Sequence, residues 1–202
     1  MVSMGEPLIL ASASPTRKRL LAAAGLAVRV EPAAVDEAAV KRVFMADGRS
    51  ASDCALALAE AKARQVAECH GRALVVGADQ ILSCGRVWFD KPTDLAAARA
   101  QLQELRGQTH EFVTAACVIQ GANRMWHAVS SAKLTMRQFS DAFLAGYLDA
   151  EGTTILGSVG AYRLEGKGIQ LFADIKGNYF AILGLPLLEL LAFLRGCGAL
   201  AW

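Results

Sequence analysis

The sequence predicts an α/β fold built on a single mixed, twisted β-sheet flanked by helices. Three observations predict it. Short continuous apolar runs such as "ALVVGAD" (73–79) are bounded by glycine and charge, the mark of buried strands. Longer segments carry helical spacing of apolar residues and open on Ser or Asp, whose side chains accept hydrogen bonds from the unpaired N–H groups of a first helical turn. Strands and helices also alternate without the regular repeat of a doubly wound sheet, which points to mixed strand directions.

The elements follow in order along the chain. Residues 7–11 read as a strand and 15–24 as a helix, with Ser14 as N-cap and Pro15 in the first helical position. A second strand covers 27–32, and a polar connection leads to a long alanine-rich helix over 51–69, entered through Ser50 or Ser52. After the strand at 73–79, residues 81–89 form another strand around a turn at Gly85. Asp94 caps a helix over 95–106 that Gly107 ends. "HEFVTAACVIQG" and "RMWHAVSSAKLTMRQF" read as a hairpin joined near Gly121–Asn123. Ser140 opens a helix to 150, ended by Gly152. Two short strands, 169–175 and 179–184, precede a final helix that Pro186 opens and Arg195 closes.

Composition bounds the function. The 202 residues are enough for one domain spanning 1–202 with a substantial core, and 54% apolar with 20% charged residues describes an ordinary globular chain. Twenty-one basic against nineteen acidic residues leave a net charge of +2, which excludes a general polyanion binder but not a local basic site. No apolar run reaches the length of a membrane span, and the N-terminal segment lacks the pattern of a secretory signal. Cys54, Cys69, Cys84, Cys117 and Cys197 are odd in number and never spaced as C-x-x-C, so reduced thiols in a cytoplasmic protein are expected. His70, His110 and His127 are equally scattered, which argues against a histidine-rich metal centre.

Three segments offer chemistry. In "LILASASPTRKR" a strand, a turn of small residues and a helix N-terminus make an anion site, because free backbone N–H groups point outward there. Ser12 and Ser14 add hydroxyl donors, and Arg17 adds a planar fork suited to phosphate oxygens. Three cations beside a positive helix end are electrostatically misplaced unless an anion joins them. The plainer reading is a solvated cationic face with Ser14 as a cap, since the segment has no glycine-rich turn.

Asp79 falls where the apolar strand runs out, a position at which a carboxylate can bind a divalent cation or take a proton from water. For a lone Asp after a strand, a helix or turn cap is the commoner role. Glu37, Lys62 and Lys91 are individually ordinary charged residues. In "YRLEGKGIQLF" (162–172), Glu165 and Lys167 between glycines offer polar groups to a nucleobase, or simply a glycine-rich loop.

Taken together, the segments resemble the Maf family of nucleoside triphosphate pyrophosphatases. The resemblance runs from "LILASASPTRKRLLAAAGL" through "LALAEAKA", "VVGADQIL", "DKP" and "LRGQTHEFVTA" to "GAYRLEGKG" and "GNYFAILGLPL". It implies a mixed sheet flanked by helices with a central cleft, an inosine-triphosphatase-like architecture, usually in a homodimer. It implies hydrolysis of a nucleoside triphosphate to the monophosphate and pyrophosphate with a divalent cation, Mg2+ or Mn2+. It also implies removal of non-canonical nucleotides and a link to arrest of cell division; the near-neutral charge and the absence of a span-length apolar run lead us to expect no membrane and no stable nucleic-acid partner.

By the same resemblance, Ser12 and Arg17 bind phosphate with Lys62 and Lys91 completing the cationic lining, and Ser14 and Thr16 belong to the same substrate-binding turn. Glu37 and Asp79 hold metal or activate water, with Asp79 as general base, and Gln80 and Glu165 face the base. Gln80 and Glu165 are similar to the branch acting on 7-methyl-GTP, whereas the branch acting on dTTP and UTP shows Thr and Gln. Thr16 stands where the family has Arg or Trp and matches neither, so the preferred base stays open. Two rivals are an orthophosphate-releasing phosphohydrolase and a nucleotide-sensing or partner-binding regulator of division without turnover.

Overall fold

Strand pairing in the computed structural model, which describes residues 8–200, gives one seven-stranded mixed sheet of order β2-β1-β3-β5-β6-β7, with β4 attached to β3. β1 (Leu8–Leu10) lies parallel to β2 (Val28–Val30) and to β3 (Val75–Cys84), pairing Leu10 with Val30 and with Val76. Parallel neighbours require crossovers. These are α1 (Pro15–Ala23) between β1 and β2, then α2 (Glu37–Ala46) and α3 (Ala51–Ala67) between β2 and β3. β4 (Val87–Phe89) folds back antiparallel on β3, pairing Leu82 with Phe89. After α4 (Leu95–Leu105), β5 (Thr109–Gln120) and β6 (Asn123–Met136) are joined by a two-residue turn. α5 (Asp141–Glu151) and two short 3-10 turns lead to β7 (Phe172–Gly177), antiparallel to β6 with a bulge at Thr135/Met136. α6 (Tyr179–Ile182) and α7 (Leu187–Gly196) close the described chain.

The expected caps are all used. Ser14, Ser50, Asp94 and Ser140 each accept the N–H three residues on, at 3.4, 3.1, 2.8 and 3.1 Å. Each satisfies a donor that the helix itself leaves orphaned. The predicted α/β class with one mixed sheet holds. The first residue of the expected opening strand, Pro7, lies outside the described residues.

Four expectations are corrected. The connection after β2 contains α2, capped by Asp36, which accepts the Ala39 N–H at 2.9 Å. Only Phe44 of that helix is buried, although Val40, Val43 and Phe44 stand at helical spacing. The strand expected at 73–79 runs on through the first half of the one expected at 81–89 as a single strand, β3, with β4 after the turn, and Asp79 sits in the middle of β3 rather than at its end. The strand expected at 179–184 is instead the single helical turn α6: Asn178 accepts the N–H groups of Phe180 and Ala181 at 2.9 and 3.4 Å, which bends the backbone out of extension. The strand expected at 169–175 begins at Phe172, after a 3-10 turn over Lys167–Leu171.

The chain divides into two compact units. The first holds residues up to Gln80, Val113–Ser130 and the segment from Asn178 onward. Its core joins Leu10, Leu21, Val76, Val118, Leu190 and Leu194, so β1, α1, β3, β5 and α7 bury a common apolar face. The second holds Ile81–Phe112 and Ser131–Gly177, including β4, α4, α5 and β7. Its interior includes Leu82, Leu102, Leu105, Leu134 and Leu144, together with His110 and Tyr162. Among the described residues, no helix is long and apolar enough to cross a membrane.

Candidate active site

Within the first unit, the site is organised by how closely α3 lies on β3. Gly77 is the reason they can approach. A Cβ there would fall 2.1 Å from the carbonyl oxygen of Ala59 and 2.8 Å from the Cβ of Ala63. Ala55, Ala59 and Ala63, one helical turn apart, are all buried. This small-residue seam brings Lys62 of α3 beside Asp79, two residues beyond Gly77 on β3.

Lys62 is 7% exposed and Asp79 3%. The Lys62 ammonium donates to Asp79 Oδ1 at 2.5 Å and pairs with Glu37 Oε1 at 2.6 Å. Glu37 occupies the first turn of α2 and is about half exposed, so the trio runs from the interior outward. Asp79 Oδ2 is buried without a hydrogen-bond partner among the described residues. An unsatisfied carboxylate oxygen at such depth is costly unless a ligand, water or cation meets it.

The turn after β1 supplies the second half. Ser12 is buried, and its Oγ accepts from Arg17 Nη1 at 3.0 Å and from the Ser14 N–H at 3.3 Å, leaving its own hydroxyl hydrogen to donate. Arg17, only 8% exposed, donates Nε to the Gly184 carbonyl at 2.7 Å and Nη1 to the Ala78 carbonyl at 2.9 Å. Nη2 takes no part in these three bonds. Burial depresses the pKa of this guanidinium, while attraction to Asp79 and Glu37 works the other way. Those attractions link Arg17 electrostatically to the carboxylates.

The helix start itself offers little. Pro15 has no N–H, and the N–H groups of Arg17 and Lys18 are spent on Ser14, which leaves that of Thr16. Thr16 Oγ1 accepts from Arg19 Nη2 at 3.3 Å. Lys18 and Arg19 are exposed.

Gln80 follows Asp79 with its side chain on the other face of β3. Its Nε2 donates to Thr114 Oγ1 at 2.9 Å and to the carbonyls of Ala181 and Ile182 at 2.8 and 3.0 Å. Thr114 Oγ1 donates to the same Ala181 carbonyl at 2.8 Å. The amide nitrogen therefore fastens α6 to the sheet.

Gly184, Thr114 and Gly77 were missed by sequence reasoning. Gly184 has φ +92°, and a Cβ there would stand 3.3 Å from Arg17 Nε. "LGLP" carried that signal, because glycine before Leu-Pro at a helix entrance suits a left-handed turn. Lys91 and Glu165 lie in the second unit. Lys91 is exposed in the loop between β4 and α4, and Glu165 is exposed in the turn Leu164–Gly166.

Among the described residues, no three His, Cys, Asp or Glu side chains cluster as a metal cage. Mg2+ or Mn2+ needs none, since such hard cations are held by one or two carboxylates together with substrate phosphates and water. Asp79 and Glu37, with the unpartnered Oδ2, fit that requirement. The five cysteines are free thiols, and burial pushes Cys54 up to about 11 and Cys117 up to about 12, which makes them inert.

A family model described as Maf-like protein matches residues 7–197. The chain is 52% identical over 192 residues to a protein of Paramagnetospirillum magneticum named nucleoside triphosphate pyrophosphatase, covering 95% of this chain and 99% of that one. It is 49% identical over 200 residues to a protein of the same name from Rhodospirillum rubrum, covering 99% of each. It is 48% identical over 193 residues to a protein of Rhizobium meliloti named 7-methyl-GTP pyrophosphatase, covering 96% and 97% of the two chains.

Proposed function

This chain belongs to the Maf-like protein family, and we propose that it is a nucleoside triphosphate pyrophosphatase, a hydrolase that cleaves its substrate to the nucleoside monophosphate and pyrophosphate. Relatives at about half identity over nearly the whole chain carry that name, which supports the reading. The structural observation that supports it best is the state of Asp79: Oδ1 is held by Lys62, and Oδ2 is buried and unpartnered.

The chemistry follows from charge. A triphosphate carries about four negative charges, and bringing it out of water calls for cations and donors that replace its hydration. Ser12, through its free hydroxyl hydrogen, and Arg17, through Nη2, meet phosphate oxygens. Arg17 is held rigid for this by its bonds to Gly184, Ser12 and Ala78. Asp79 Oδ2 takes the proton of the water that attacks the α-phosphorus. Lys62, close to both carboxylates, keeps Asp79 oriented and offsets negative charge as pyrophosphate leaves. Asp79 and Glu37 would hold the divalent cation. When bound, that ion supplies charge neutralisation and a lowered pKa for its water. Lys91 and Glu165 keep the roles the family resemblance gives them, phosphate and base.

The family resemblance also implies one catalytic domain, a homodimer and a cytoplasmic setting. Light scattering after size exclusion tests the dimer. For the activity, a panel of GTP, 7-methyl-GTP, dTTP, UTP and other modified triphosphates is read by separate pyrophosphate and orthophosphate assays. Pyrophosphate release that chelation abolishes and Mg2+ or Mn2+ restores is the expected result. Orthophosphate as the first product, or no turnover of any triphosphate, would overturn the proposal. In oxygen-18 water the label is expected in the monophosphate.

A further inference from the structure

In the second unit, the mechanism leaves one buried polar pair unused. His110 on β5 is 1% exposed and Tyr162 4%, and His110 Nε2 lies 2.6 Å from the Tyr162 hydroxyl. Apolar rings surround them. Phe172 meets Tyr162 edge-on at 4.8 Å, and Phe112 is 6.2 Å from the His110 ring. His110 Nδ1 has no hydrogen-bond partner among the described residues. A phenylalanine at either position would fill such a place without leaving an orphaned nitrogen, so the hydrogen bond does something that packing alone does not.

Its consequence lies in the chain next to Tyr162. Ala161 is the one non-glycine residue with positive φ, +58°, among the described residues. Such a backbone persists only where neighbours over-determine it. Tyr147 donates to the Ala161 carbonyl at 3.3 Å, and the Ala161 N–H reaches the Ser158 carbonyl at 3.2 Å. Beyond Tyr162, the Gly166 N–H closes a turn on the Arg163 carbonyl at 3.2 Å, with Leu164 buried and Glu165 exposed at its tip. The strained residue, the anchored ring and the closed turn form one rigid arm, and Glu165 is what it presents.

We infer that His110 and Tyr162 are specificity-positioning residues: their buried hydrogen bond fixes the Arg163–Gly166 turn so that the Glu165 carboxylate meets the nucleobase at one defined angle. This deepens the proposed function and rests on Glu165 reading the base. Burial also pushes the His110 imidazole down to about 4, so the pair is neutral through the physiological range.

Tyr162→Phe removes one hydroxyl and leaves the ring. Wild type, Tyr162→Phe, Glu165→Gln and the double variant are compared by kcat and KM over the triphosphate panel, and by hydrogen exchange of the 163–166 amides. Tyr162→Phe should raise KM for the preferred nucleotide and shrink the base-preference ratio, each about tenfold, with kcat within about threefold. Exchange at 163–166 should accelerate. The double variant should lose no more preference than Glu165→Gln. His110→Gln, which keeps a polar partner for Tyr162, should retain preference that His110→Leu loses. Unchanged exchange at 163–166 in Tyr162→Phe overturns the positioning. Faster exchange with preference intact overturns its role in specificity. If Glu165→Gln leaves preference untouched, the reading of Glu165 is wrong and this inference goes with it. Absence of triphosphate turnover in wild type strikes the proposed function instead.

Discussion

Lys62 Nζ lies 2.5 Å from Asp79 Oδ1, with both side chains buried and the second carboxylate oxygen left unpaired. A buried ion pair is weak evidence for stability, because desolvation offsets much of the attraction. A buried pair in which one oxygen meets no donor among the described residues is better explained by chemistry than by folding. Glu37 at 2.6 Å from the same ammonium extends the group toward solvent, where a triphosphate and its cation would arrive.

Asp79→Asn is expected to lower kcat about 10²–10⁴-fold, the span of general-base contributions. Nucleotide binding measured without divalent cation should persist, because an anion has been removed from beside a polyanion, while the cation's contribution to affinity should shrink with the loss of one of its two carboxylates. Lys62→Met should instead destabilise by about 3–5 kcal/mol, since it strands a buried carboxylate. Steady-state kinetics, calorimetric titration with nucleotide and urea denaturation separate the two. Native turnover in Asp79→Asn would remove Asp79 from the mechanism.

Arg17→Lys tests whether the guanidinium is a scaffold as well as a ligand. A lysine keeps the charge but not the fork that spans Gly184, Ser12 and Ala78. Losing two of these bonds leaves buried carbonyls unpaired, at about 1–3 kcal/mol each. Activity should fall together with stability, and Gly184→Ala should reproduce part of the loss, because its φ of +92° is strained for alanine. A lysine variant with native denaturation and impaired KM alone would reduce Arg17 to a phosphate contact.

Much of this was legible in the chain. Ser14, Ser50, Asp94 and Ser140 marked four helix starts, because capping is a local transaction between a side chain and N–H groups three residues away. Ser12, Arg17, Glu37, Lys62, Asp79 and Gln80 were all marked in the chain and share the first unit. What lay beyond reach was non-local. The apolar run 179–184 is strand-like by composition, and it is helical because Asn178 caps it and Gln80, 102 residues before Ile182, takes its carbonyls. α2 was read as a polar connection although Asp36 caps it and Val40, Val43 and Phe44 stand at helical spacing; the fold buries only Phe44 and leaves Val43 57% exposed. Arg17 looked like a solvent-facing fork, and only the fold reveals that three of its bonds point inward.

Gly77→Ala should damage the site without touching substrate. The added Cβ would meet the backbone oxygen of Ala59 at 2.1 Å, and a backbone group cannot rotate aside. α3 must therefore shift away from β3, carrying Lys62 from Asp79. Overpacking of this kind costs about 1–3 kcal/mol. A fall in kcat larger than the fall in stability explains would show that the Lys62–Asp79 distance matters to turnover. Unchanged kcat in a folded variant would contradict it.

His110 predicts an acid limb in stability. Its pKa is about 4 when folded, because burial among Phe112, Phe172 and the neutral Tyr162 disfavours the imidazolium, against about 6.5 when unfolded. The unfolded chain therefore binds the proton more tightly, and stability falls as pH drops. The contribution is complete above about pH 6.5, declines through the window down to about 4, and totals about 3 kcal/mol at 1.36 kcal/mol per unit. Urea denaturation of wild type and His110→Gln across pH 4–8 measures it. The variant should be less stable at pH 7.5 yet lose less between pH 6.5 and 4.5. Parallel curves for the two proteins would assign the acid limb to other groups.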